Sequence, residues 1–138
     1  MNSTTTYSIR PIGFVHSQLI DKKDAPEQGS EGAPEACIKI DKEFTKATDG
    51  IVAGSEIILL TWLHLSDRNV LQVHPRNNPN NPLKGVFATR APDRPNPIGL
   101  HRVQVLETAE SVNLIVSPLE AVDGTPVIDI KPVLCNQH

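Results

Sequence analysis

Four side chains able to do chemistry fall within seven residues: Arg90, Asp93, Arg94 and Asn96, in the run Lys84-Gly-Val-Phe-Ala-Thr-Arg-Ala-Pro-Asp-Arg-Pro-Asn-Pro-Ile-Gly-Leu100. A guanidinium clasps a carboxylate or phosphate with two parallel hydrogen bonds, a carboxylate accepts a proton or an ammonium, and an amide orients a nucleobase. Pro92, Pro95 and Pro97 stand between and after them. Each proline fixes φ, removes a backbone donor and pushes its predecessor towards extended geometry. A loop stiffened this way loses less entropy on ordering, so these side chains can be held in place before a ligand arrives. Val86-Phe87-Ala88-Thr89, just ahead of the loop, has the β-branched and aromatic content of a strand.

Charge singles out the same region. Residues 68–106 carry six basic side chains (Arg68, Arg76, Lys84, Arg90, Arg94, Arg102) and one acidic one (Asp93), a local balance of +5, while the rest of the chain carries 7 basic and 15 acidic, a balance of −8. This asymmetry points to an anionic ligand or nucleic acid meeting this part of the molecule. The net charge of −3 argues against tight, sequence-independent nucleic-acid binding by the domain as a whole. Any RNA contact must use the local basic region.

The run Gly-Val-Phe-Ala-Thr-Arg-x-Pro-x-Arg-Pro-Asn-Pro-Ile-Gly-Leu resembles the signature of the TsaA-like family, the S-adenosylmethionine (SAM)-dependent tRNA N6-methyltransferases of TrmO type. Arg10-Pro-Ile-Gly13, Asp24-Ala-Pro-Glu-Gln-Gly29, Trp62-Leu-His64 and Asp123-Gly-Thr-Pro-Val-Ile-Asp-Ile-Lys-Pro132 follow the family's order and approximate spacing, so the resemblance covers nearly the whole chain. It implies a single-sheet β-barrel, a homodimer, SAM as cofactor and tRNA as substrate, with methyl transfer to N6 of threonylcarbamoyladenosine beside the anticodon. The chain departs from the pattern at His101, where a serine is usual.

A SAM site needs an acceptor for the amino group, a donor for the carboxylate and a pocket compatible with the cationic sulfonium. Asp123 can serve as the acceptor, and Arg90 can hold the carboxylate. By resemblance the further contacts are backbone groups of Pro26, Glu27 and Gln28, of His64 and Leu65, of Leu100, and of the Gly124, Thr125 and Pro126 turn. Methyl transfer is an in-line displacement that also releases a proton from the acceptor nitrogen, so alignment supplies much of the rate. Arg94 or Asn96 can orient the nucleobase, Arg94 or Arg102 can meet the carboxylate of the modification, and Asp93, Asp129 or His101 can act as base. We expect Arg94, Asn96 and Asp129 on the catalytic side. A second reading is a SAM-binding sensor or partner-binding barrel without tRNA methyl transfer.

Other chemistries lack their residues. The eight glycines include no G-x-G pair, which removes the Rossmann and P-loop readings. The five histidines show neither H-x-H nor H-E-x-x-H spacing, so no metal is expected, and His64 reads as a packed or hydrogen-bonded side chain. Trp62 reads as core. Cys37 and Cys135 lie 98 residues apart in no C-x-x-C pair and read as cytosolic thiols. No apolar run approaches the ~20 residues needed to span a bilayer, and the expectation is a soluble, cytoplasmic protein.

Stepping outward from these side chains, 138 residues suit one domain. Tyr7, Ile9, Ile12 and Phe14 suggest a first strand kinked at Pro11-Ile12-Gly13. Residues 21–34 read as a loop, 36–40 as a strand, and 41–51 as a short helix behind an Asp41 cap. Residues 57–63 are the most apolar run and read as a strand buried on both faces. Further strands are expected at 70–74, 85–89, 100–107, 112–116 and 126–133, with 75–82 an extended proline-rich linker. The sum is a mainly β domain with one or two short helices, closed or nearly closed into a barrel.

Overall fold

In a computed structural model, residues 5–17, 35–109 and 112–134 are described. Six antiparallel strands close into a single barrel. They are β1 (Gly13–His16), β2 (Ala36–Ile40), β3 (Glu56–Trp62), β6 (Ile98–Ala109), β7 (Asn113–Ser117) and β8 (Pro126–Pro132). Their order around the wall is β1-β2-β7-β6-β3-β8, and β8 returns to β1. A separate two-stranded sheet pairs β4 (Gln72–Val73) with β5 (Lys84–Gly85). No helix among the described residues is long and apolar enough to cross a membrane.

Alternation builds the barrel. β2 buries Ala36, Ile38 and Ile40 while Cys37 and Lys39 face outwards, and Leu114 and Val116 of β7 fall in register opposite Ile38 and Ala36. The interior gathers Val15, Ile38, Leu59, Val105, Val116 and Val127, all 0 % exposed. Burying each such side chain contributes roughly 1.5–3 kcal/mol. At the seam between β1 and β2 the backbones approach very closely, for a Cβ on Gly13 would lie 2.3 Å from the Lys39 carbonyl oxygen.

Several elements differ from expectation. Residues 5–11 form no strand, and Tyr7 stands 91 % exposed. The expected helix at 41–51 is a 3-10 helix, Lys42–Thr48, in which Asp41 occupies the cap position without a side-chain hydrogen bond. β3 alternates rather than being buried on both faces: Ile57, Leu59 and Thr61 point inwards, whereas Ile58, Leu60 and Trp62 are half-exposed on the outer wall. The strand expected at 85–89 divides into β5 and a 3-10 turn, Val86–Ala88, that buries Val86 and exposes Phe87. Between β4 and β5 the prolines admit a 3-10 turn at Pro75–Asn77, with Arg76 at φ 57°. Residues 21–34 lie outside the described residues.

Topology decides where chemistry can gather. Because neighbouring strands alternate in direction, β3 ends where β6 and β8 begin: Trp62 pairs with Ile98, and Thr61 with Val127. β1 ends beside the start of β8, with Phe14 opposite Pro126. The proline loop, the chain after Trp62 and the Asp123 turn therefore all enter one end of the barrel.

Candidate functional site

The proline-rich loop is held by more than its prolines. Nε of Arg94 donates to the Ala91 carbonyl at 2.8 Å, and its terminal nitrogen donates to the carbonyls of Thr89, at 2.6 Å, and Val86. These acceptors lie on a turn that no strand covers, so the guanidinium satisfies them in place of a ladder. A second clamp comes from Arg68, which donates from Nε to the Pro95 carbonyl at 2.6 Å and to Asn96 Oδ1 at 2.8 Å. The Arg68 guanidinium also lies 5.1 Å from the centre of the Trp62 ring. Asp93 accepts from the Asp67 amide at 2.9 Å, which fixes the other side of the loop.

Three candidates are thus engaged locally: Arg94 and Asp93 brace the loop, and Asn96 is tied to Arg68. Arg90 is exposed and has no partner among the described residues, so its guanidinium points from a rigid base into solvent. Arg102 is engaged on the outer wall, where it donates to Glu56 Oε1 at 2.8 Å and holds that carboxyl below its usual range. Asp129 sits on β8 with its carboxylate 3.1 Å from Lys131 Nζ. Leu100, Leu60 and Asp129 share one row of the outer wall, since Leu60 pairs with both. Two strand spacings, about 10 Å, separate Leu100 from Asp129.

On the neighbouring side of the same barrel end, Asp123 accepts from the Ser17 amide at 3.0 Å, and Gly124 donates to the Val15 carbonyl at 2.8 Å. Gly124 takes φ 86°, which lets the turn reverse before β8. The buried Thr125 hydroxyl closes it on the Val122 carbonyl at 2.7 Å. The Asp123 carboxylate lies 4.0 Å from Nδ1 of His16, so two exposed, oppositely inclined groups share the rim. A shallow hollow of about 430 Å³ opens there, lined by His16, Ser17, Glu35, Ala36, Cys37, Ile115 and Asp123. Burial pushes the Cys37 thiol up, partly offset by Lys39, which keeps it a thiol rather than a nucleophilic thiolate.

Beneath this end lies a polar pair inside the wall. Thr61, fully buried on β3, shares a 2.8 Å hydrogen bond with Nε2 of His101 on β6. Burial pushes His101 down to about 4, which keeps the imidazole neutral. Gly99 makes room for the pair, since a Cβ there would lie 2.5 Å from Thr61 Oγ1.

The structure thus brings Arg90, Leu100, His64, Leu65 and the turn from Asp123 to Pro126 to one barrel end. It shows no contact between Arg90 and Asp123, and Pro26, Glu27 and Gln28 lie outside the described residues. His64 is exposed just past β3 rather than packed, and Trp62 is half-exposed on the outer wall under a guanidinium rather than in the core. Among the described residues no three His, Cys, Asp or Glu side chains gather as a metal site would require. Sequence reading missed the Arg68 clamp, the Thr61–His101 pair and the Ser17 contact to Asp123. The cross-strand register that makes them has no local signal, although the apolar run ending at Trp62 places Arg68 within reach of it.

Comparison with known proteins bears on the family and the fold. The profile of the tRNA-methyltransferase O N-terminal domain matches residues 14–137. A probable S-adenosyl-L-methionine-binding protein of Methanothermobacter thermautotrophicus is 49% identical over 124 residues, covering 90% of this chain and 88% of its own. An S-adenosyl-L-methionine-binding protein of Archaeoglobus fulgidus is 42% identical over 123 residues, with 89% and 86% covered. The crystal structure of TrmO from Pseudomonas aeruginosa superposes with a TM-score of 0.74 at 32% identity, across 94% of this chain and 57% of that one. This chain therefore spans a little over half the length of that solved TrmO. With a profile match over nearly its whole length and a shared barrel, the chain belongs to the tRNA-methyltransferase O N-terminal domain family.

Proposed function

We propose that this protein binds S-adenosylmethionine at the barrel end reached by the Arg90 loop and the Asp123 turn, and methylates N6 of threonylcarbamoyladenosine in tRNA, acting in the cytoplasm. One observation carries the reading: three chain segments far apart in sequence enter the barrel at the same end. The residues fit the cofactor. Asp123 supplies an exposed carboxylate for an ammonium, and Arg90 an exposed guanidinium for a carboxylate. Backbone groups of Pro26, Glu27, Gln28, His64, Leu65, Leu100, Gly124, Thr125 and Pro126 complete the contacts. When bound, the cofactor supplies an activated methyl group on a sulfonium. Asn96, held by Arg68, orients the acceptor base, Arg94 keeps the loop in shape beside it, and Asp129 takes the departing proton.

The protein acts as a homodimer in this reading. Leu60 faces Leu100 and Trp62 faces Ile98 across β3 and β6 on the outer wall, where Ile98 is 44% and Leu100 53% exposed. A ladder of apolar pairs, half-exposed on β3 and exposed on β6, suits a second copy. Light scattering on the purified chain reads the assembly directly.

The decisive experiment incubates the protein with methyl-labelled SAM and with tRNA that carries or lacks the threonylcarbamoyl group. Incorporation into the modified RNA alone supports the proposal. The names of the two archaeal relatives above, which state binding only, favour a second reading in which SAM is sensed and not consumed. Saturable SAM binding with no label in any RNA would select that reading.

A further inference from the structure

Phe87 is 84% exposed although its neighbour Val86 is 2% exposed. This is no loose segment. The turn that carries the ring, Val86–Ala88, has its Val86 carbonyl held by Arg94, which also holds the Thr89 carbonyl just beyond it, and its Val86 amide donates to the Leu71 carbonyl at 3.0 Å. The ring is therefore held in water by a braced backbone, against the hydrophobic effect that would otherwise bury it.

Its surroundings narrow what it meets. The turn follows directly on β5 of the separate β4–β5 sheet, whose connection is ordered by its own asparagines: Asn81 donates to the Pro75 carbonyl at 2.7 Å, and its own carbonyl oxygen lies 2.9 Å from Nδ1 of His74. Two non-glycine residues there, Arg76 and Asn77, adopt left-handed backbone at φ 57° and 56°. That conformation costs energy and persists where the surroundings fix it. Lys84 and Arg76 are exposed on this flap, and residues 68–92 contain no acidic side chain. A fixed, solvent-facing aromatic ring on a segment that carries cations and no acidic side chain, in a protein that is acidic overall, is the combination that stacks an unpaired base and meets its phosphates. The same loop that begins at Phe87 runs into the barrel mouth at Ile98.

We infer that the β4–β5 flap holds a single-stranded stretch of RNA, with Phe87 stacking on a base and Lys84 and Arg76 meeting the flanking phosphates. The inference rests on the proposed RNA substrate and adds where that RNA is held. The ring stacks on a base beside the acceptor, and the loop between carries that register to the barrel end.

The test measures binding of a fluorescently labelled anticodon stem-loop RNA by anisotropy, alongside SAM affinity by calorimetry, on the full chain. F87A weakens RNA binding about 10-fold or more, and F87W restores it. The pair K84E and R76E together flattens the salt dependence of RNA affinity, because each phosphate contact contributes about 0.7 to the slope on single strands. SAM affinity stays unchanged in every variant. RNA affinity unaltered in F87A overturns the flap proposal while leaving the methyltransferase reading intact. Wild-type protein that binds SAM and no RNA overturns both. A shift of F87A towards a smaller assembly, with RNA affinity kept, assigns the ring to a protein interface and overturns the inference as well.

Discussion

Thr61 Oγ1 lies 2.8 Å from Nε2 of His101, inside the barrel wall and against Gly99. Burial pushes His101 from 6.5 down to about 4, so the folded chain refuses a proton that the unfolded chain accepts. Above about pH 6.5 both states are neutral and the pair imposes no pH dependence. Between about 6.5 and 4 the unfolded state binds the extra proton, and stability falls as pH falls, by about 3 kcal/mol at most. Urea unfolding at neutral and acid pH should show this loss, and His101→Gln should remove that part of the slope. An unchanged slope in the variant would assign the acid sensitivity elsewhere.

Gly99→Ala should destabilise the barrel by about 1–3 kcal/mol, as overpacking of an interior commonly does. The new methyl would meet Thr61 Oγ1 at 2.5 Å and His101 Nε2 at 2.8 Å, both on strands that pair with each other. Combining it with His101→Ser frees space. The double variant should therefore recover part of the lost melting temperature, and strictly additive losses would contradict the geometry.

Arg94→Lys should loosen the loop without unfolding the barrel. Lysine keeps the charge but is a single point donor, and it cannot reach the three carbonyls of Ala91, Thr89 and Val86 from one planar group. Faster proteolytic nicking within residues 86–97, with the core melting transition shifted only slightly, is the expected outcome. SAM affinity should fall with it, because Arg90 is carried on the same loop.

Asp123→Asn keeps the acceptor for the Ser17 amide and removes the charge. A charge-assisted hydrogen bond contributes about 1.5–3 kcal/mol, so calorimetry should show SAM affinity reduced roughly 10- to 100-fold with little change in thermal stability. Equal SAM affinity would move the amino-group acceptor to another residue. Asp123→Ala loses the Ser17 contact too and should add a small stability loss.

Strand pattern was legible where each strand has one wet face. β2, β7 and β8 begin and end within one residue of expectation, since alternation at Ala36, Ile38 and Ile40, or at Leu114 and Val116, is a local property. Residues 86–89 misled because aromatic and β-branched side chains favour a strand only when a partner edge is present. Here Arg94 takes the carbonyls of Val86 and Thr89 instead, and its interest in them is invisible without the fold. Trp62 misled for a related reason: whether an aromatic on a strand faces in or out depends on register with β6, which no single segment encodes. The candidate site was legible as a set of motifs, because the loop and the Asp123 turn each mark a strand's beginning. That both beginnings share one barrel end follows from strand order, and strand order is a property of the whole chain.

The seam at Gly13 sets a harder limit than any of these side chains. With the Lys39 carbonyl 2.3 Å from where a first side-chain carbon would stand, the ring of strands shuts over a hydrogen atom. A library randomised at that one codon should return glycine alone among folded survivors, whereas the polar rim a few residues further along the same strand has latitude to diverge. Evolution can therefore rewrite what this cylinder grips far more freely than how it is sewn closed.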